Sequence, residues 1–187
     1  MGRSSRSQTN ANRQRIVEVA SGLFRAHGIE AVSISDVMKA AGMTQGGFYK
    51  HFDSRDHLVA EALGSALETW KRRADAAAAG GPPFTYESLI KDYLSEAHRD
   101  HPGAGCPIGA LAGDLARTDE RTRAVVTRQI AEQIELLANL IGETSKKEKR
   151  AAPAWAILSY CALVGAISMA RAVSNEQLSR EILKTVA

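Results

Sequence analysis

Apolar residues recur along this chain at intervals of three and four almost without interruption, and no stretch alternates with period two for long enough to read as a strand. The pattern predicts an all-α fold. Ile16, Val19, Ala20, Leu23 and Phe24 form the first apolar stripe, which Gly28 ends as a glycine just past a helix terminus. Ser33 is placed to cap the next helix, with Asp36 three residues on as its capping-box partner. Ile34, Val37, Met38 and Ala41 line one face of that short helix, and Gly42 gives the backbone freedom to turn sharply out of it. A third helix follows, with Thr44 as a candidate cap and Phe48 and Phe52, four apart, as its anchoring face. Ser54 then caps a long fourth helix carrying Leu58, Ala62, Ala66, Leu67 and Trp70, before Gly80-Gly81-Pro82-Pro83 breaks the pattern. Beyond it the spacing predicts helices near 85–100, 107–117, 119–144, 151–173 and 175–186, with loops at 101–105 and 145–150 and no internal repeat.

Two short helices joined by Ala41-Gly42-Met43 make a helix-turn-helix, whose second helix fits a DNA major groove about 12 Å wide. Gly46 and Gly47 each cost about 1 kcal/mol in a helix interior, so their pairing at a helix start suggests that backbone must approach something closely there. Around them stand Thr44, Gln45, Tyr49, Lys50 and His51, a donor-rich face opposite Phe48 and Phe52. Gln is suited to an adenine edge, whereas Thr, Tyr, Lys and His suit phosphate oxygens. An ordinary amphipathic hairpin with a solvated face is the alternative. Charge favours the first reading: the formal net charge is +3, and residues 1–57 hold eight basic against five acidic groups, so the whole excess lies in the first third. The expected organisation is a flexible basic tail over 1–9, a DNA-binding module over 10–57 with its motif near 33–52, and a helical remainder over 58–187.

Composition narrows the rest. Two cysteines, Cys106 and Cys161, are too few for a disulfide scaffold, and no secretory leader pattern opens the chain, so the cytoplasm is the expected compartment. Ala151 to Ala170 runs without a charge, yet its alanines, Pro153, Ser159, Tyr160 and Ser168 fit a buried or interface helix better than a membrane span. No phosphate-binding glycine loop, nucleophile elbow or paired metal-ligand motif points to an enzyme, and no catalytic residue, metal or cofactor is assigned. A helical adaptor that binds protein remains the rival class. His98, His101 and Cys106 form a weak metal-ligand grouping, Cys161 reads as a core cysteine, and Cys106 precedes Pro107 as the cap of a predicted helix. Free amides at a helix start favour a thiolate, the reactive form of cysteine.

Ile16, Ala20, Leu23-Phe24, Gly28, Ser33-Ile34-Ser35-Asp36-Val37, Ala41-Gly42-Met43-Thr44, Gly46-Gly47-Phe48-Tyr49-Lys50-His51-Phe52 and Leu58 together resemble the TetR family of bacterial transcription regulators. The resemblance implies that Thr44, Tyr49 and His51 bind phosphates, that Gln45 and Lys50 read bases, and that Gly46 and Gly47 permit close approach. Arg55 stands where the family usually has lysine and would keep a phosphate contact, and Ser33 would present its hydroxyl and helix N-terminus to another phosphate. Val37-Met38 replaces a more usual Ile-Ala pair in the core. It further implies double-stranded operator DNA as partner, a homodimer through the last two helices, and a pocket among the middle helices for a small-molecule effector of unknown identity whose binding releases the DNA. The stretch around Cys106 is similar to one in TetR-type repressors that sense electrophiles or oxidants, making Cys106 a candidate sensor or pocket residue.

Overall fold

Helix α1 (Arg6–His27) opens the computed structural model, which describes residues 6–142 and 146–187. It starts inside the stretch expected to be a flexible tail; side-chain hydrogen bonds between residues four apart, Gln8 Nε2 to Asn12 Oδ1 and Gln14 Nε2 to Glu18 Oε1, each 3.0 Å, support this polar beginning. Residues 1–5 of that expected tail lie outside the described residues. Ile16, Val17, Ala20 and Phe24 face inward, and Gly28 ends the helix at φ 89°. Ser33 caps α2 (Ile34–Ala40) through a reciprocal capping box with Asp36, whose hydrogen bonds from Ser33 hold its carboxyl below the usual carboxylate range. Gly42, at φ 75°, makes the turn.

The third helix is a six-residue 3-10 helix, Gln45–Lys50, rather than α-helix, and Thr44 makes no side-chain cap bond to it. The segment is short and begins with two glycines, so little helix propensity resists the tighter winding. Helix α3 (Arg55–Leu67) is capped by Ser54, which accepts the His57 N–H at 3.1 Å. The expected long fourth helix is broken at Glu68, and α4 (Thr69–Ala78) continues it. Two carbonyls at the break have side-chain partners: Thr69 Oγ1 donates to Ala66 O at 2.9 Å, and Gln133 Nε2 to Leu67 O at 2.6 Å.

The single helix expected over 85–100 is two, α5 (Tyr86–Tyr93) and α6 (Glu96–Asp100), because Ser95 caps a new helix through the His98 N–H. A 3-10 turn, Pro102–Ala104, leads to α7 (Pro107–Leu115), which Cys106 and Pro107 begin as expected. Then come α8 (Glu120–Gly142), α9 (Lys146–Ala172) and α10 (Glu176–Val186). Helix α9 starts before the expected 151, since Lys146 to Arg150 are straight-chain residues of high helix propensity. The expected loop at 145–150 is thus helical from 146, and residue 145 is outside the described residues. Every regular element among the described residues is helical.

One apolar cluster runs from Ile16, Phe24, Phe48 and Phe52 through Leu58 and Leu63 to Leu89, Leu137, Leu163 and Ile167. Helix α3 therefore belongs to both halves. The N-terminal module is also tied directly to the turn before α7 and to α7 itself. Arg25 Nη1 donates to Gly105 O at 2.6 Å, Asp114 Oδ2 accepts the Ile29 N–H at 3.0 Å, and Gly22 and Gly103 meet so closely that a Cβ on Gly103 would lie 3.1 Å from Gly22 O. Within Ala151–Ala172 an 18-residue stretch reaches a mean hydropathy of 1.6, and the segment is long and apolar enough to cross a membrane by length and composition alone. A third of it serves the core: Ala152, Ala156, Tyr160, Leu163, Ala166, Ile167 and Ala170 are buried. The opposite face is apolar and exposed, with Leu158 59% and Met169 58% accessible; Cys161, expected in the core, is exposed on this outer face.

Candidate nucleic-acid interface

The helix-turn-helix presents its polar residues to solvent and its aromatic ones to the core. Phe48 and Phe52 are fully buried with rings stacked 5.5 Å apart, while Tyr49 between them is 72% exposed. Thr44, Gln45, Gly46 and Lys50 are exposed on the same side, and Ser33 is exposed at the start of α2. A Cβ on Gly46 would meet nothing within 4 Å, and one on Gly47 would make only ordinary contacts. Packing within the chain therefore does not require either glycine. Thr9 and Asn12 of α1 join Thr44, Lys50 and His51 around a hollow of about 380 Å³ beside the 3-10 helix. Neither α1 residue belongs to the motif visible in the sequence, where the polar run ahead of Ile16 is the signal for them.

Two arginines brace this surface from behind. The Arg13 guanidinium pairs with Glu61 of α3, lies 4.7 Å from the centre of the Phe52 ring, and donates from Nε to His51 O at 3.3 Å. Arg55 is turned inward: its Nη2 donates to the carbonyls of Ile29 and, at 3.3 Å, Val32. It thereby fixes the loop that sets the angle of α2, a role the sequence did not show because the partner carbonyls lie more than twenty residues upstream. His51 is half-buried with Nδ1 unpartnered, and burial, then the charges of Arg13 and Lys50, push its pKa down, so the ring is a neutral hydrogen-bonding group at pH 7. Arg55→Ala is expected to lower stability by about 1–3 kcal/mol, because two partly buried carbonyls lose their donor. Thermal unfolding checks this: a lower Tm marks the brace, and an unchanged Tm marks a side chain that serves DNA alone.

A second concave site lies among the middle helices. Its cavity, about 320 Å³, is lined by Leu67, Trp70, Tyr93, Cys106, Gln133 and Tyr160 among others, with Arg73 and Asp92 paired at 2.7 Å beside it. Cys106, half-buried, faces Tyr93 and Tyr160 there. His98 Nε2 accepts the Cys106 N–H at 2.9 Å, which assigns the ring proton to Nδ1 and a hydrogen bond to Tyr93 O at 2.6 Å. Burial also pushes His98 below the usual histidine range. His98 thus uses both ring nitrogens to hold the turn before α7, and His101 Nδ1 is bonded to Ala97 O at 2.9 Å at the end of α6.

Residues 16–62 match the sequence profile of bacterial regulatory proteins of the tetR family, and residues 84–185 that of the C-terminal domain of LmrA/YxaF-like transcriptional regulators. The HTH-type transcriptional repressor KstR of Mycolicibacterium smegmatis is 32% identical over 91 residues, 48% of this chain and 45% of that protein. The HTH-type transcriptional regulator AcrR of Shigella flexneri is 36% identical over 61 residues, 33% of this chain and 28% of its own length. The matched regions thus span less than half of these curated relatives. A TetR transcriptional regulator from Chloroflexus aurantiacus aligns with a TM-score of 0.72 at 25% identity, covering 96% of this chain and 94% of its own. Escherichia coli NemR in its reduced form shares the fold, with a TM-score of 0.74 at 17% identity over 94% of this chain and 93% of that one.

Proposed function

Because this chain belongs to the TetR family of bacterial regulatory proteins, we propose that it is a sequence-specific DNA-binding transcription regulator, a cytoplasmic homodimeric repressor released from its operator by a small molecule. The observation that carries the reading is the exposed Thr44 to Lys50 face, with two glycines that the chain's own packing does not require, held rigidly by buried Phe48 and Phe52. Gln45 and Lys50 are the base readers, while Ser33, Thr44, Tyr49 and His51, joined by Thr9 and Asn12, position the phosphates. Arg55 acts through the loop it braces. A protein-binding adaptor would not need glycines where DNA backbone must come close.

Dimerisation through α9 and α10 is supported by the uncovered stripe of Ala154, Leu158, Cys161, Ala162 and Met169, continued on α10 by Leu178. Release is supported by the links from the cavity side to the N-terminal module. The turn that carries Cys106 touches α1 through Gly105 and Gly103, and the broken α3–α4 junction adjoins the cavity through Leu67 and Trp70. A ligand that favours one arrangement of these contacts shifts the spacing of the two recognition segments.

Selection of bound duplexes from a random pool tests the reading, and a site with two-fold symmetry is the expected product. On that site Gln45→Ala is expected to cost about 1–3 kcal/mol, with little loss on unrelated DNA. Equal losses on both duplexes, read by fluorescence anisotropy, would remove Gln45 from base reading. Cys106 is a candidate sensor by its place in the cavity. Treatment with hypochlorite or N-ethylmaleimide is then expected to release operator from the native chain and not from Cys106→Ser, whereas equal release from both assigns Cys106 to the cavity wall alone.

A further inference from the structure

The cavity between the α3–α4 junction, α5 and α8–α9 contains more polar capacity than the protein itself uses. Tyr93 and Tyr160 are 4% and 5% exposed, and neither hydroxyl has a partner in full hydrogen-bond geometry among the described residues; the weakly accepting Cys106 thiol beside both is the group a better acceptor would replace. Gln133, 4% exposed, spends its amide N–H on Leu67 O, which fixes the amide plane and leaves Oε1 without a donor. Buried polar groups are nearly always paired, so three unpaired atoms around one cavity specify the partner that completes it. Burial, and then the neighbouring Cys106, push both tyrosines above their usual range, so each remains an O–H able to donate.

Charge is accounted for differently. Arg73 is paired with Asp92 at the margin. Arg171 donates to His98 O, Arg99 O and Gly109 O, Arg25 donates to Gly105 O, and His98 is held neutral between Tyr93 O and the Cys106 N–H. Neither an uncommitted cation nor an uncommitted carboxylate lines the cavity among the described residues, and an isolated charge buried there would be strongly disfavoured. The wall is aromatic: the Trp70 ring meets Tyr93 edge-on at 5.5 Å and Tyr160 at 5.7 Å, leaving a surface that suits a flat ring.

From this arrangement we infer that the cavity takes an uncharged ring compound whose carbonyl oxygen accepts from the Tyr93 and Tyr160 hydroxyls and whose own hydroxyl or N–H donates to Gln133 Oε1. The inference rests on the ligand-responsive reading above and gives it a chemical class. Calorimetric titration at pH 6 with three probes of similar size tests it: para-hydroxyacetophenone, the para-hydroxybenzoate anion and para-ethylphenol. The first has the full pattern, the second adds a charge, and the third lacks the carbonyl. Para-hydroxyacetophenone is expected to bind about tenfold more tightly than either of the others, since a site built for hydrogen bonds rejects analogues that leave its groups unpaired. Tyr93→Phe combined with Tyr160→Phe is expected to abolish that preference, with thermal unfolding used to confirm that the variant folds. Equal or tighter binding of para-hydroxybenzoate or para-ethylphenol overturns the inference, as does no saturable binding of para-hydroxyacetophenone or an undiminished preference in the folded double variant. DNA affinity of the same preparations is read separately. Sequence-selective DNA binding with the wrong probe order sinks the ligand class alone, and the right probe order without sequence selectivity sinks the regulator reading alone.

Discussion

Phe48→Ala is expected to lower stability by about 3–5 kcal/mol, a fall in Tm of roughly 6–20 °C for a chain of this size. Phe48 is fully buried, stacks on Phe52 and lies in the same buried cluster as Met38 of α2. Loss of the ring leaves a cavity in a closely packed core, which relaxes only partly around it. The adjacent Tyr49 provides the contrast. At 72% exposed it contributes little to the core, so Tyr49→Ala is expected to change stability by no more than about 0.5 kcal/mol while weakening DNA binding. Thermal unfolding of the two variants side by side checks the division; similar losses of Tm for both would show that the 3-10 helix is not packed by Phe48.

The second large effect lies at the other end of the molecule. Leu158→Glu places a carboxylate in the exposed apolar stripe of α9, where a second copy of the chain is proposed to pack. Light scattering is expected to report a monomer, and operator affinity is expected to fall by about 10²–10⁴, because each half-site would then be bound without the effective concentration that the dimer supplies. Since Leu158 is 59% exposed in the single chain, the monomer itself should remain folded by circular dichroism. A dimer of unchanged stability in the variant would place the interface elsewhere.

The parts of this architecture legible in the sequence are those fixed by neighbours close along the chain. Ser33 with Asp36, Ser54 with the amide of His57, Gly28 and Gly42 at positive φ, and Phe48 with Phe52 all act within a few residues, so spacing alone exposes them. The features that eluded it are set by partners far away in sequence. The break at Glu68 depends partly on Gln133 reaching Leu67 O across 66 residues, and Arg55 turns inward because carbonyls 26 and 23 residues upstream await a donor. Cys161 looked like a core residue because its apolar neighbours are indistinguishable, by composition, from those of an exposed stripe. The polar fittings of the cavity, Tyr93, Tyr160 and Gln133, come from three different helices, and nothing in their local sequence shows that they converge. Thr9 and Asn12 were overlooked for a related reason, since only the folding of α1 across the 3-10 helix brings them to the candidate DNA surface.

One comparison of affinities tests most directly whether the chain reads DNA sequence. Binding of the full chain to the duplex upstream of its own coding sequence, and to a scrambled duplex of equal length and composition, is measured at about 50 mM and about 200 mM salt. The expected result is an upstream complex about a thousandfold tighter or more than the scrambled one at the higher salt, with both affinities falling as salt rises. Equal affinity for the two duplexes, or no affinity for either, contradicts it.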